Sequence, residues 1–174
     1  DIHRMAETYP DKLSLATAPE DGQAIKQAGK RAMYIGVENG YAIGRDLDML
    51  DRFYGLGVRY MTLCHTRNND ICDSANDKVE EHGGLSDFGR QVVDRMNRLG
   101  MMVDISHVSE KSAFDAIAQS AVPVVASHSC AWEVCNNPRN MSDSLLVAMA
   151  RKGGVMQLCI LSSYVRPDVP NPQL

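Results

Sequence analysis

The sequence predicts an α/β fold built on a parallel sheet, and three observations carry that prediction. Five short apolar runs, at 32–38, 58–65, 101–107, 122–128 and 154–161, are near-continuous rather than alternating, as in strands covered on both faces. Segments with helical periodicity lie between them. The first four runs each deliver a metal-capable side chain at the carboxyl end: Glu38, His65, His107 and His128.

Taken in order, the opening "DIHRMAETYPDKLSLA" reads as a polar, helix-like stretch, and a second helix is expected around 20–29. The run 32–38 is the first strand. "GRDLDMLDRFYGLG" carries Leu47, Leu50 and Tyr54 at helical spacing and ends at Gly55 or Gly57. After the strand 58–65 comes a polar connection, residues 66–84. Its acids, Asp70, Asp73, Asp77, Glu80 and Glu81, lack calcium-loop spacing, so a solvated flap is expected, with His82 exposed on it.

"LSDFGRQVVDRMNRLG" places Phe88, Val92, Met96 and Leu99 on one helix face, with Ser86 as N-cap and Gly100 as the stop. "SEKSAFDAIAQS" is capped by Ser109 and buries Phe114 and Ile117. "MSDSLLVAMARKGG" starts at Ser142 and closes on Lys152, Gly153 and Gly154, a basic last turn followed by glycine.

Length and composition bound the rest. The 174 residues are 44% hydrophobic, enough for one globular domain with a core. A formal net charge of -4 with scattered signs gives no nucleic-acid footprint, and no apolar run approaches the ~20 residues of a membrane span. The opening residues show no signal-peptide pattern and begin without Met, which points to a processed or partial chain and fixes no compartment, cytoplasmic or periplasmic. The five cysteines, Cys64, Cys72, Cys130, Cys135 and Cys159, form no C-x-x-C pair and read mostly as reduced core residues. "GVENGYAIG" has the glycines of a nucleotide loop without its spacing.

In a parallel βα series the carboxyl ends of the strands form the active face. One histidine in an apolar run is ordinarily a hydrogen-bonded core residue. Three histidines and a glutamate at equivalent ends of successive strands would be costly to bury without compensation. A divalent cation such as zinc compensates them, and Glu38, His107 and His128 supply the three protein ligands of a catalytic zinc site. Asp104, three residues before His107, reads as a structural or supporting residue, and Trp132 as packing or pocket lining.

"YIGVENGYAIG", "GVRYMTLCHT", "GLSDFGRQVVDRMNRLGMMVDISHVS" and "PVVASHSCAWEVCNNPRNMSD" together resemble the renal (membrane) dipeptidase family of zinc metallopeptidases. The resemblance runs through nearly the whole chain. It implies a (β/α)8 TIM-type barrel with a binuclear zinc site and hydrolysis of dipeptides by a metal-bridging hydroxide. It further implies that Glu38 bridges the metals, that His107 and His128 complete one ligand set, and that His65 contacts the substrate and the tetrahedral intermediate. Arg139, in "NNPRN", would hold the dipeptide's carboxylate, a task suited to a bidentate guanidinium fork.

The family's first strand bears an H-x-D pair and its later strands a catalytic aspartate in a G-S-D-F-D-G-like segment. Neither has a counterpart here, since His3 in "DIHRMAETYPDKL" reads as a helix-surface residue and the sequence closes on "VRPDVPNPQL". The expectation is a partial barrel of about five βα units, residues 1–174 being the central part of a single metallohydrolase domain. Its partners would be the dipeptide and either a second copy or the remainder of the barrel. A metal-dependent hydrolase of cyclic amides or lactams, and a catalytically incomplete remnant serving in binding or assembly, are the alternatives.

Overall fold

The computed structural model describes residues 2–166; the closing segment 167–174, with most of "VRPDVPNPQL", lies outside the described residues. Five parallel strands form the main sheet in the order β3-β4-β5-β6-β7: β3 (Ile35–Glu38), β4 (Val58–Thr62), β5 (Met102–Asp104), β6 (Val125–Ser129) and β7 (Val155–Leu158). Helices α3 (Asp48–Gly55), α4 (Asp87–Leu99), α5 (Glu110–Gln119) and α6 (Asp143–Arg151) are the crossovers, and a short α7 (Ser162–Val165) follows β7. This is the α/β parallel-sheet fold expected. The helix caps fall where sequence put them. Ser86, Ser109 and Ser142 accept from Gly89, Ser112 and Leu145 backbone N–H groups, and Gly100 closes α4 at φ 76°.

The beginning of the chain differs from expectation. The run 32–38 is two strands rather than one: β2 (Arg31–Met33) breaks from β3 at Tyr34. It pairs in parallel with β1 (Leu13–Leu15) in a separate two-stranded sheet. The helix-like opening is accordingly helix α1 (Ile2–Thr8) followed by a strand, and His3 sits on that helix. Helix α2 (Pro19–Gln27) joins the two small strands, its first turn tied by the Asp21 carboxylate accepting from Thr17 and Ala18 N–H. Three-residue strands carry too little periodicity to stand out in sequence.

Strand register sorts the side chains into two rows. Val37, Met61 and Val103 are aligned across β3, β4 and β5, and Met61 and Val103 are fully buried under the helices. Leu50, Val92, Met96, Ala116 and Leu145 pack onto that side to make the core. One residue further along, Glu38, Thr62 and Asp104 form the neighbouring row, which points to the opposite face because strand side chains alternate. Gly36 belongs to this second face. A Cβ there would lie 2.1 Å from the Tyr60 ring, so only glycine lets that ring cross β3.

No helix among the described residues is long and apolar enough to cross a membrane. The cysteines are free, four of them buried and Cys159 half-buried, in line with the reduced-core reading.

Candidate metal centre

Glu38 is the last residue of β3, and His128 lies near the end of β6. His65 and His107 follow β4 and β5. Their ring nitrogens converge on one carboxylate oxygen. Glu38 Oε1 is 3.2 Å from His107 Nε2, 3.2 Å from His128 Nε2 and 3.6 Å from His65 Nε2. His107 Nε2 and His128 Nε2 are 2.7 Å apart, and the His65 and His107 rings stack at 4.1 Å between centroids. The ligand atoms of Glu38, His65 and His107 all lie within 4.8 Å of one another. His65, expected from the resemblance as a catalytic residue that contacts the substrate, thus joins Glu38 and His107 in the metal-capable cluster.

The cluster is graded in exposure. His107 is 7% exposed, His128 31%, His65 40% and Glu38 52%. Burial, then electrostatic repulsion from Arg139 and the neighbouring His65 and His128, pushes the His107 pKa down to about 2. His107 is therefore a neutral imidazole with a lone pair to offer. Its backbone sits at φ 70°, in the left-handed region that a β-carbon disfavours. The strand parity that would separate Asp104 from His107 does not apply, because β5 ends at Asp104 and the turn after it re-aims the imidazole.

What holds that turn was not legible beforehand. Residues 66–84 are not a solvated flap: Ile71, Cys72, Asp73 and Ser74 are buried. Ala75 N–H donates to the His107 carbonyl at 2.8 Å, and the Ser74 hydroxyl donates to the His65 carbonyl. The connection braces two of the three histidine turns. Its own shape is set by the Asp73 carboxylate, which accepts from Glu81, His82 and Gly84 N–H groups. His82 is half-buried, its Nε2 2.8 Å from the Asn69 carbonyl, instead of exposed. Sequence does offer one signal for this: a connection of such length in a compact domain is seldom idle.

Beneath His128 lies a second unforeseen network. The Ser127 hydroxyl is 2.6 Å from Asp104 Oδ2 and 2.7 Å from His128 Nδ1. A register irregularity between Ala126 and Ser129 falls on these residues. Asp104 is fully buried and also accepts from the Thr62 hydroxyl and from Ser106 and Ser127 N–H, the supporting role its position suggested.

Arg139 lies beside the histidines, 3% exposed, with Nη2 donating to the His128 carbonyl at 3.2 Å and its guanidinium 5.4 Å from the Tyr164 ring. Its Nε is buried without a hydrogen-bond partner, and it forms no ion pair among the described residues. Burial lowers its pKa, as expected for a cation held out of water. It borders a cavity of about 280 Å³ together with Trp132, Ser129, Glu110 and Glu133.

The donor set suits zinc. Three imidazole nitrogens and one carboxylate oxygen are its preferred ligands, and bonds of about 2.0–2.1 Å imply ligand–ligand edges of about 3.3 Å in a tetrahedron. The 3.2 Å separations from Glu38 to His107 and His128 match that edge. The 2.7 Å pair is shorter, at hydrogen-bonding distance.

Residues 1–172 match the family model described as membrane dipeptidase, peptidase family M19. The chain belongs to that family. Dipeptidase tcpJ of Claviceps purpurea is 39% identical over 167 residues, 96% of this chain and 39% of that protein. The crystal structure of the probable dipeptidase PvdM from Pseudomonas aeruginosa superposes with a TM-score of 0.92 at 35% identity, over 95% of this chain and 43% of the other. A metallo peptidase from Rhodobacter sphaeroides, liganded with a phosphinate mimic of the dipeptide L-Ala-D-Ala, gives 0.91 at 27% identity, over 98% and 50%. The chain thus spans less than half the length of the curated dipeptidases it matches. The metal-capable cluster lies at the carboxyl ends of the parallel strands, the face on which βα folds carry their active sites.

Proposed function

We propose that this chain is the central part of a single (β/α)8-type barrel domain that hydrolyses dipeptides with zinc. The observation that carries the reading is the convergence of Glu38, His65, His107 and His128 on one point, with the buried Arg139 guanidinium, in no ion pair among the described residues, beside them. Glu38, His107 and His128 would hold the metal, Glu38 as the carboxylate that bridges two ions. Zinc, when bound, acts as a Lewis acid that polarises the scissile carbonyl and makes water a competent nucleophile near neutral pH.

The chain's own residues do the rest. His107, neutral and buried, can turn to metal without first losing an imidazolium charge. His65, more exposed than His107, would donate a hydrogen bond to the oxyanion that develops on the carbonyl. Arg139 holds the substrate's terminal carboxylate. A buried cation without a counter-ion is costly, and a substrate anion repays that cost only when bound. This restricts the substrate to one with a free carboxylate close to the scissile bond, which is what distinguishes a dipeptide from an internal peptide bond. The phosphinate dipeptide mimic bound by the Rhodobacter sphaeroides relative supports the same substrate class.

The test is turnover by the zinc-loaded full-length protein of a dipeptide, the same dipeptide amidated at its carboxyl end, and a neutral cyclic amide. Hydrolysis confined to the free acid supports the reading. Equal turnover of the amidated or cyclic substrate would assign a cyclic-amide hydrolase instead, and no turnover of any would leave the binding-module alternative.

A further inference from the structure

We infer that Ser127 and Asp104 position His128 for metal by fixing which of its ring nitrogens carries the proton, an assignment that rests on the zinc reading above. A serine hydroxyl has a single hydrogen to donate and lone pairs to accept with. Asp104 is surrounded by donors: Ser106 and Ser127 N–H reach Oδ1 at 3.0 and 2.9 Å, and the Thr62 hydroxyl reaches Oδ2 at 2.6 Å. As a carboxylate it accepts only, so the Ser127 hydroxyl must spend its hydrogen on Oδ2, 2.6 Å away.

Ser127 Oγ then has only lone pairs left for the His128 Nδ1 atom 2.7 Å from it. Nδ1 must therefore carry a ring hydrogen, which in the neutral imidazole leaves Nε2 with a free lone pair. That lone pair is the one facing Glu38 Oε1 and His107 Nε2. A serine thus extends the carboxylate–histidine pairing that ordinarily orients metal-binding imidazoles. Ser106 supports the geometry from below, its hydroxyl accepting from His128 N–H at 3.0 Å.

A second consequence follows at His107. Its Nε2 is 2.7 Å from His128 Nε2, and two lone pairs cannot face each other at that distance. With His128 protonated on Nδ1, the hydrogen between the two rings belongs to His107 Nε2. The two imidazoles are opposite tautomers in the zinc-free protein. His107 Nδ1, buried without a partner among the described residues, has no acceptor that would demand the other form.

Nitrogen-15 NMR of histidine-labelled, zinc-free full-length protein reads both tautomers directly, and zinc titration reads the consequence. His128 should carry its hydrogen on Nδ1 in the wild type and in Ser127→Thr, which keeps the hydroxyl, and should lose that preference in Ser127→Ala. The zinc dissociation constant should rise by about 10- to 100-fold in Ser127→Ala and return toward the wild-type value in Ser127→Thr. A His128 protonated on Nε2 in the wild type overturns the inference, as does a Ser127→Ala protein with unchanged tautomer and zinc affinity. If Ser127→Ala does not fold, the wild-type and Thr spectra decide the matter. A wild type that binds no zinc defeats the functional reading, while the tautomer assignment still judges this one.

Discussion

His107 Nε2 and His128 Nε2 face each other at 2.7 Å across the ends of β5 and β6, and both stand 3.2 Å from the same oxygen of Glu38. Two imidazoles and a carboxylate so close call either for hydrogen bonds among themselves or for a cation to ligate. The strands, parallel and in register, supply the proximity; the turns after them supply the aim.

Glu38 is the oxygen all three histidines share, so it is the first position to alter. Glu38→Gln keeps the shape and removes the charge. Zinc retained after dialysis against a weak chelator should fall below that of the wild type, and dipeptide turnover should fall at least ~100-fold. Full zinc content with full activity in this variant would remove Glu38 from the metal site.

Arg139 offers a fork where lysine offers a point. In Arg139→Lys, kcat/KM for dipeptides should drop by roughly 10- to 100-fold, the equivalent of one lost charged hydrogen bond, with most of the change in KM. Michaelis kinetics on a series of dipeptides decides it. A change confined to kcat would move Arg139 from carboxylate binding to the chemical step.

Asp73 links acidity to the architecture of the site. Burial raises its pKa, but N–H donors from Gly84, Glu81 and His82 outweigh this and leave it below the ordinary value. A depressed folded-state pKa contributes stability that is present above the unfolded pKa of about 4 and is lost as pH falls through the folded value. Asp73→Asn should therefore be less stable than the wild type at neutral pH, by about 1–3 kcal/mol, and the gap should close in acid. Urea unfolding at several pH values tests this; a gap that is constant with pH would mean that packing, not ionisation, is what Asp73 contributes.

Gly36 admits the Tyr60 ring. In Gly36→Ala the new methyl would meet ring atoms at 2.1 Å, so Tyr60 or β3 must shift at a cost of about 1–3 kcal/mol. Thermal unfolding should show the loss. The double variant Gly36→Ala, Tyr60→Leu should recover part of it, and no recovery would place the clash elsewhere.

Much of this fold is legible in the amino-acid sequence. Serine caps followed by apolar periodicity mark α4, α5 and α6, because capping and amphipathicity are local. Near-continuous apolar runs mark the five main strands. The break at Tyr34 was hidden, since two short strands in different sheets look like one when only hydrophobicity is read. The brace made by residues 66–84 was hidden as well. Polar composition suggests solvent, whereas Asp73 and Ser74 are buried by hydrogen bonds to partners distant in sequence.

By itself the sequence determined that four metal-capable residues stand at the ends of parallel strands, because strand period and βα alternation are properties of neighbouring residues. Only the tertiary structure decided that the four meet at one point and that His107 turns inward at φ 70°. It alone placed Ser127 between Asp104 and His128. Those relations depend on register and on contacts between residues more than 20 positions apart, as in the pairing of Thr62 with Asp104, where |i−j| is 42. No local pattern encodes such distances; the packing of one strand against the next does.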